Sequence, residues 1–396
     1  HSQFQKTYKK NIIAVDNLSK INLIDLKPVI PYFRERTLSL GGKIISKEEW
    51  PSHLRNVLPD EFRNLPPNAF FHTFLGSNNP LSAPQEWMNE DQFIHDISVH
   101  EWLNKKGFSD ELVDLAYNLN ISHGFSAKDV SVLMLMFVNA FAASQSRLGF
   151  QTSLVAEGGN IRIAEEMANN LKHEVLLNKE VTSIDLSQDS AKVSCQDGSS
   201  FSADRIICSL PFSVLEGISI YPKIMGPQSQ AIKSLKSQKI NMLHLVPKKP
   251  FWETDEMSPN MYTDQLAGMI LSQRQASSPE KVDSLTVWLR GPIAERLDMM
   301  DQNEAIASVI QSIEDLRPSA KGQLEVAAYH SWFLNPFSKG DWAYWGPGQI
   351  KEFGREISKP HYRLHFCGEH TAIANRGMEG ALESGERAFF EILDLG

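Results

Sequence analysis

The chain has 396 residues, 42% of them hydrophobic and 20 of them scattered prolines, which is length enough for two domains with cores of their own. A formal net charge of −9 and the lack of a sustained Lys/Arg run argue against nucleic acid or an anionic membrane surface as partner, since neither has a cationic source to meet it. The cysteines, Cys195, Cys208 and Cys367, lie far apart without metal spacing, so neither a disulfide framework nor a metal site is expected, and a reducing, cytoplasmic compartment is.

Residues 1 to 96 read as irregular, with prolines at 28, 31, 51, 59, 66 and 67 and short apolar patches between them. His1 in place of methionine points to a trimmed or processed start. SLGGKI at 39–44 reads as a turn. From Asp96 to Ser144 the pattern is helical: ISVHEWLNKKG closes at Gly107, DELVDLAYNL follows, and Ser126 is placed to cap the helix that holds VSVLMLMFVNAF. That helix is apolar on nearly every face, so it is buried or lines a cavity. It falls short of the run of about 18 apolar residues a membrane span needs.

Residues 154 to 213 change character. LVAEGGNIRIAEEMANNL predicts a glycine-started helix with Ala164, Met167, Ala168 and Leu171 on one face. Two strand runs follow, AKVSCQDGSSFSADRIICSLP carrying an Asp197-Gly198 hairpin signal and ending in a strand expected to be buried. Residues 214 to 330 mix strands and helices, including INMLHLVPKKPFWE and EAIASVIQSIEDL; the Lys233–Lys249 cluster within them reads as a solvated face.

The chain closes on HFCGEHTAIANRGMEGALESGERAFFEIL, residues 365–393. Met378, Leu382, Gly385, Phe389 and Ile392 recur at helical spacing, and Gly377, Gly380, Ala381, Ser384, Gly385 and Ala388 leave an adjacent face nearly bare. Such a face admits close approach to the backbone, and free amides at its N-terminus suit an electron-rich group. Tight helix-on-sheet packing with a surface Glu369 is the plainer alternative.

FCGEHTAIANRGMEGALESGERA closely resembles the C-terminal signature of flavin-dependent amine oxidases. The resemblance extends in order through LVAEGGNIRIAEEMANNL, LLNKEVTSI, DRIICSLPFSVL, PFWE, and Trp332 ten residues before Trp342 in GDWAYWGPG, spanning roughly residues 97 to 393. It implies an α/β fold: a discontinuous FAD-binding Rossmann-like domain (151–221 and 339–396) and an α+β substrate-binding domain (1–150 and 222–338). It implies FAD as cofactor, with Gly368 and Glu369 at the ribityl and phosphate portion, Met378 and Glu379 at the pyrimidine edge of the ring, and the backbone of Val181 at the adenine. Trp332 resembles the aromatic residue packed on the ring, and Trp342 one wall of the cage that admits the amine. The implied reaction moves a hydride from the carbon beside a neutral amine nitrogen to the flavin; the imine hydrolyses to a carbonyl, with H2O2 formed where oxygen is the acceptor.

Four departures qualify the match. Gly377 stands where monoamine oxidases carry a second cage tyrosine, which opens the cage. Arg376 before it is a candidate clamp for a substrate carboxylate, though an arginine beside a helix start is more often a salt-bridge residue. Asp341 stands where a covalently linked flavin has its cysteine, so the cofactor is expected to be noncovalent. The lysine many members place before the FW landmark falls near Met242, with Lys239 three residues off, and is not assigned. Finally, no GxGxxG occurs in these residues, so the pyrophosphate-binding strand–turn–helix unit is expected to lie outside them and FAD retention by this chain alone to be weak. The alternative from another class is a non-catalytic amine-oxidase-like binding or scaffold protein. Oligomeric state, homo-oligomers included, is left open, as is the identity of the amine. His361, His365 and His370 do not make a metal site, and no GxSxG supports a hydrolase.

Overall fold

The computed structural model describes residues 26–28, 36–147, 154–156, 158–187, 189–275 and 278–395. Its largest sheet has seven strands in the order 324–331, 240–247, 278–290, 269–275, 261–263, 37–40, 43–45. All neighbours are antiparallel except Thr37–Leu40, which runs parallel to Met261–Thr263. Period-two alternation divides its faces. Leu243, Leu245, Leu285, Val287 and Leu289 pack with Ala305, Val309, Ile313 and Leu316 of the helix Gln302–Leu316, which Asp301 caps through the amides of Asn303 and Glu304. Trp288 and Arg290 therefore project from the opposite face.

SLGGKI is the turn of the hairpin at one edge of this sheet. Gly41 (φ 64°) and Gly42 (φ 75°) both take the left-handed conformation a two-residue hairpin turn needs, and the Gly41 amide donates to both carboxylate oxygens of Asp264 at 2.9 and 2.8 Å. The Asp197-Gly198 hairpin also forms, joining Ala191–Cys195 to Ser200–Ala203 in a four-stranded sheet that continues through Val181–Asp185 to Ser219–Tyr221. Leu364–Phe366 pairs in parallel with Ile206–Cys208 and so brings the C-terminal stretch onto the middle of the chain.

Two expectations need correction, and one helix stands uncovered among the described residues. The apolar helix, Val132–Arg147, is buried along Val132–Phe137 and at Ala140, but Ser126 does not cap it. The hydroxyl of Ser126 instead donates to Asp129 and accepts from the Lys128 amide in the preceding turn. The helix Ile161–Asn169 starts after Gly158 and Gly159, both left-handed, yet none of its residues is buried. Its apolar face meets no cover among the described residues, and Leu171 and Val175–Leu177 beyond it are exposed as well. In Ile206–Cys208 only Cys208 is buried, while Ile207 is 43% exposed.

Candidate active site

The terminal helix, Gly377–Leu393, shows which face of its pattern meets the protein. Gly380, Ser384 and Ala388, four residues apart, are the buried positions, and the Ser384 hydroxyl accepts from the Gly368 amide at 2.8 Å. A Cβ on Gly380 would lie 2.9 Å from the Asn375 carbonyl oxygen. Close packing on the strand–turn below thus accounts for these small residues, which corrects the expectation that they leave a bare face for a ligand. Met378, Leu382 and Phe389 point outward.

The helix start is arranged differently. Arg376 occupies the N-cap position without a side-chain cap, residues 377–379 are exposed, and the space a Gly377 Cβ would enter is open. Glu383, one turn inside, reaches back to accept from the amides of Ile373, Ala374 and Asn375, at 2.9, 3.2 and 2.8 Å, and so fixes the approach loop. The amides at Met378 and Glu379 are left facing outward.

Glu369 does not extend into solvent. Its carboxylate accepts from the Ala343 and Gly377 amides and lies 3.7 Å from an Arg376 nitrogen. Burial raises its pKa against the opposing pull of Arg376. Arg376 is also 3.3 Å from Nε2 of His123, so it bridges two neighbours and is occupied as an internal salt-bridge residue. His123 lies tilted beside Trp342, with ring centroids 5.6 Å apart at 49°, and Trp288 lies 6.3 Å from Trp342 at an interplanar angle of 33°. Burial first, then the charges of Arg376 and Arg290, hold the His123 pKa well below the usual imidazole value, so the ring is neutral.

Trp342, through His123, and Glu369 thus both meet Arg376, which leads directly into Gly377, Met378 and Glu379, with Gly368 anchored just below through Ser384. Val181 and Trp332 stand on other elements: Val181 opens a strand of the four-stranded sheet opposite Cys195, and Trp332, 37% exposed, packs edge-on against His330 at 4.6 Å. Met242 lies across from both Trp288 and His330 in the large sheet. Lys239 is engaged by Glu295 at 2.7 Å and covered by the Phe333 ring at 4.0 Å. His123, Trp288 and Arg290 are site residues that sequence reasoning missed. The alternation of TVWLR within a strand was the available signal for two of them, since it places Trp288 and Arg290 on one face.

The donors in this site suit a flavin ring. The buried Nε1–H of Trp342 and Nε2 of His370 have no hydrogen-bond partner among the described residues, and the helix start presents amides and open space where the electron-rich pyrimidine edge of a flavin would be received. The model for flavin containing amine oxidoreductases matches residues 24–392. The chain belongs to that family. Among its relatives in the family is the flavin-containing amine oxidase A of Equus caballus, 27% identical over 337 residues that make up 81% of this chain and 62% of the relative. The chain thus spans less than two thirds of that oxidase's length. Two solved structures share the fold: cyclohexylamine oxidase from Brevibacterium oxydans IH-35A, with TM-score 0.73 and 17% identity over 96% of this chain and 84% of that one, and putrescine oxidase bound to putrescine, with TM-score 0.72 and 18% identity over 96% and 85%. Among the described residues no helix is long and apolar enough to cross a membrane.

Proposed function

We propose that this chain carries the amine-oxidising site of an FAD-dependent oxidoreductase, with a discontinuous flavin domain and a substrate domain built on the seven-stranded sheet. The substrate is an amine, dehydrogenated at the carbon beside nitrogen; the imine hydrolyses to a carbonyl compound, and oxygen is the final acceptor. The observation that carries this is the Trp342–Trp288 pair, set beside an uncapped helix start and on an inner strand of the large sheet. When bound, the flavin supplies the two-electron acceptor for the hydride.

The chain's own residues provide position and field. Trp342 and Trp288 form flat walls that orient a substrate without offering it a competing base. His123 backs Trp342 as a neutral ring, accepting from Arg376 at Nε2 with Ser122 Oγ 3.1 Å from Nδ1, which settles the proton on Nδ1. Glu369, held by Arg376 and two amides, braces the loop before the terminal helix. Met378 and Glu379 would offer their amides to the ring's pyrimidine edge, where negative charge gathers on reduction. Asp341, before Trp342, has no sulfur for a thioether link, which supports noncovalent FAD.

The test is anaerobic addition of an amine panel to the FAD-loaded protein. Bleaching of the flavin's visible band by at least one amine, with H2O2 released on admitting air, is expected. A loaded protein that stays yellow with every amine would leave the non-catalytic binding role in its place.

A further inference from the structure

Gln238 is a polar residue with no exposed surface, set between Lys236–Ser237, which pairs antiparallel with Ala343–Tyr344, and Ile240–Pro247, an inner strand of the large sheet. Its main chain is tied to the turn that carries Trp342. The Gln238 amide donates to the Trp342 carbonyl at 2.9 Å, and the Gln238 carbonyl accepts from the Asp341 amide at 2.9 Å. The turn comes this close because Gly340 has no side chain: a Cβ there would stand 2.5 Å from the Ser237 Cβ and 3.0 Å from the Gln238 carbonyl oxygen.

The side chain reaches the other way. Oε1 of Gln238 accepts from the amide of Gly124, and Nε2 donates to the carbonyl of that same residue at 3.1 Å and to that of Lys239 at 3.3 Å. One buried primary amide thus takes up both backbone groups of a residue 114 positions earlier, with its own donors and acceptor satisfied. The residue before Gly124 is His123, whose ring lies 5.6 Å from that of Trp342. The Trp342 Nε1–H has no partner among the described residues, so no hydrogen bond joins these two rings and their spacing is set through their backbones. Tyr117 holds the His123 carbonyl at 2.9 Å and Arg376 holds its Nε2 at 3.3 Å. Neither fixes it against the Trp342 turn; the paired amides of Gln238 and Gly124 do.

We propose that Gln238 is a positioning residue for the amine site: it sets the spacing of His123 and Trp342, and so the tilt of the wall against which a substrate lies. This rests on the amine-oxidising role proposed above. Hydride transfer needs the donor carbon close and aligned, and a misplacement of about 1 Å costs on the order of 100-fold in rate. A buried amide holds the wall without presenting a charge or a base to the amine. A nonpolar side chain in its place would leave the amide and carbonyl of Gly124 unpaired and release the loop.

The link is read first without turnover. FAD-loaded protein labelled with 5-fluorotryptophan carries eight fluorinated rings, and the signal lost in Trp342→Phe belongs to Trp342. Gln238→Met, of similar length but without donor or acceptor, is expected to shift or split that signal. The signals of Trp50 and Trp102, identified in the same way and neighboured by His53 and Phe74, should hold their positions. Gln238→Asn keeps the amide one methylene short; it is expected to give the same change and serves where the Met variant does not fold. A Trp342 signal that stays put in a folded variant, or that moves only together with those of Trp50 and Trp102, overturns the proposal. In turnover, Gln238→Met should lower kcat roughly 10-fold with KM within about 3-fold of the parent's, and should cost nothing further in a Trp342→Ala background. Full multiplication of the two losses would show that Gln238 does not act through Trp342, and the proposal falls. If the Trp342 signal shifts but no amine reduces the parent's flavin, the positioning link stands and the oxidase role falls. If the parent oxidises amines while Gln238→Met leaves signal and kcat unmoved, the oxidase role stands and the link falls.

Discussion

Nη2 of Arg376 lies 3.3 Å from Nε2 of His123, a residue 253 positions earlier, and 3.7 Å from the carboxylate of Glu369 on its other side. One guanidinium therefore couples the loop behind Trp342 to the start of the terminal helix. Because Glu369 is largely buried, its charge depends on that neighbour. Arg376→Met should destabilise the protein by about 3 kcal/mol, the lower end for breaking a buried pair, since both partners keep some solvent contact. Adding Glu369→Gln should recover part of that loss. Urea denaturation of the two single variants and the double variant measures the coupling; strictly additive effects would show that the pair is not one unit.

Trp342 stands as a wall of the proposed substrate site. Trp342→Ala should lower kcat by roughly 10- to 100-fold through loss of orientation, while bound flavin per chain changes little. Catalytic efficiency equal to the parent's would remove Trp342 from the site.

Gly377 has φ 58° and open space beyond it. Gly377→Tyr meets no steric obstacle but enters the left-handed region, so it should cost about 1–2 kcal/mol of stability. It should also narrow the site and shift preference toward slim amines. An equal loss of activity across slim and bulky amines would mean that the position serves close backbone approach and not substrate selection.

His370 is buried against Phe212, with its pKa lowered to about 4 by burial and secondarily by Arg387. Its folded-state value lies below the unfolded value of about 6.5. The unfolded chain therefore takes up a proton that the folded chain refuses as the pH falls from about 6.5 to about 4. Stability attached to this group is whole above pH 6.5 and declines through that window, by on the order of 3 kcal/mol. His370→Asn should flatten the decline in denaturation midpoints measured from pH 7 to pH 4.5. An unchanged slope would show that His370 is not its source.

Local chemistry was legible where it is written in adjacent residues. Gly41-Gly42 and Asp197-Gly198 form turns because only left-handed backbone closes so short a hairpin. The buried helix at Val132 was readable from its unbroken apolar run. Ser126 misled because a serine before an apolar run can cap an intervening turn as easily as the helix. The terminal helix misled for another reason: Gly380, Ser384 and Ala388 are small because the chain's own turn at Gly368 lies against them, and a glycine does not record what approaches it. His123, Trp288 and Arg290 meet around Trp342 only through tertiary folding. Trp288 and Arg290 had a local trace in their alternation; His123, in a loop, had none.

The parallel pairing of Thr37–Leu40 with Met261–Thr263 sets an order of assembly. All four residues of the earlier strand are buried, yet its partner lies more than 200 positions downstream. During synthesis the hairpin through Gly41 and Gly42 can close at once, since its contacts are local. It then waits, Leu38 and Leu40 uncovered, until the later strand has left the ribosome. Closing so large a loop is slow, and the interval is one in which an unpaired edge is open to wrong partners. The same hairpin that seals the rim of the large sheet is thus a segment that needs protection before the sheet is complete.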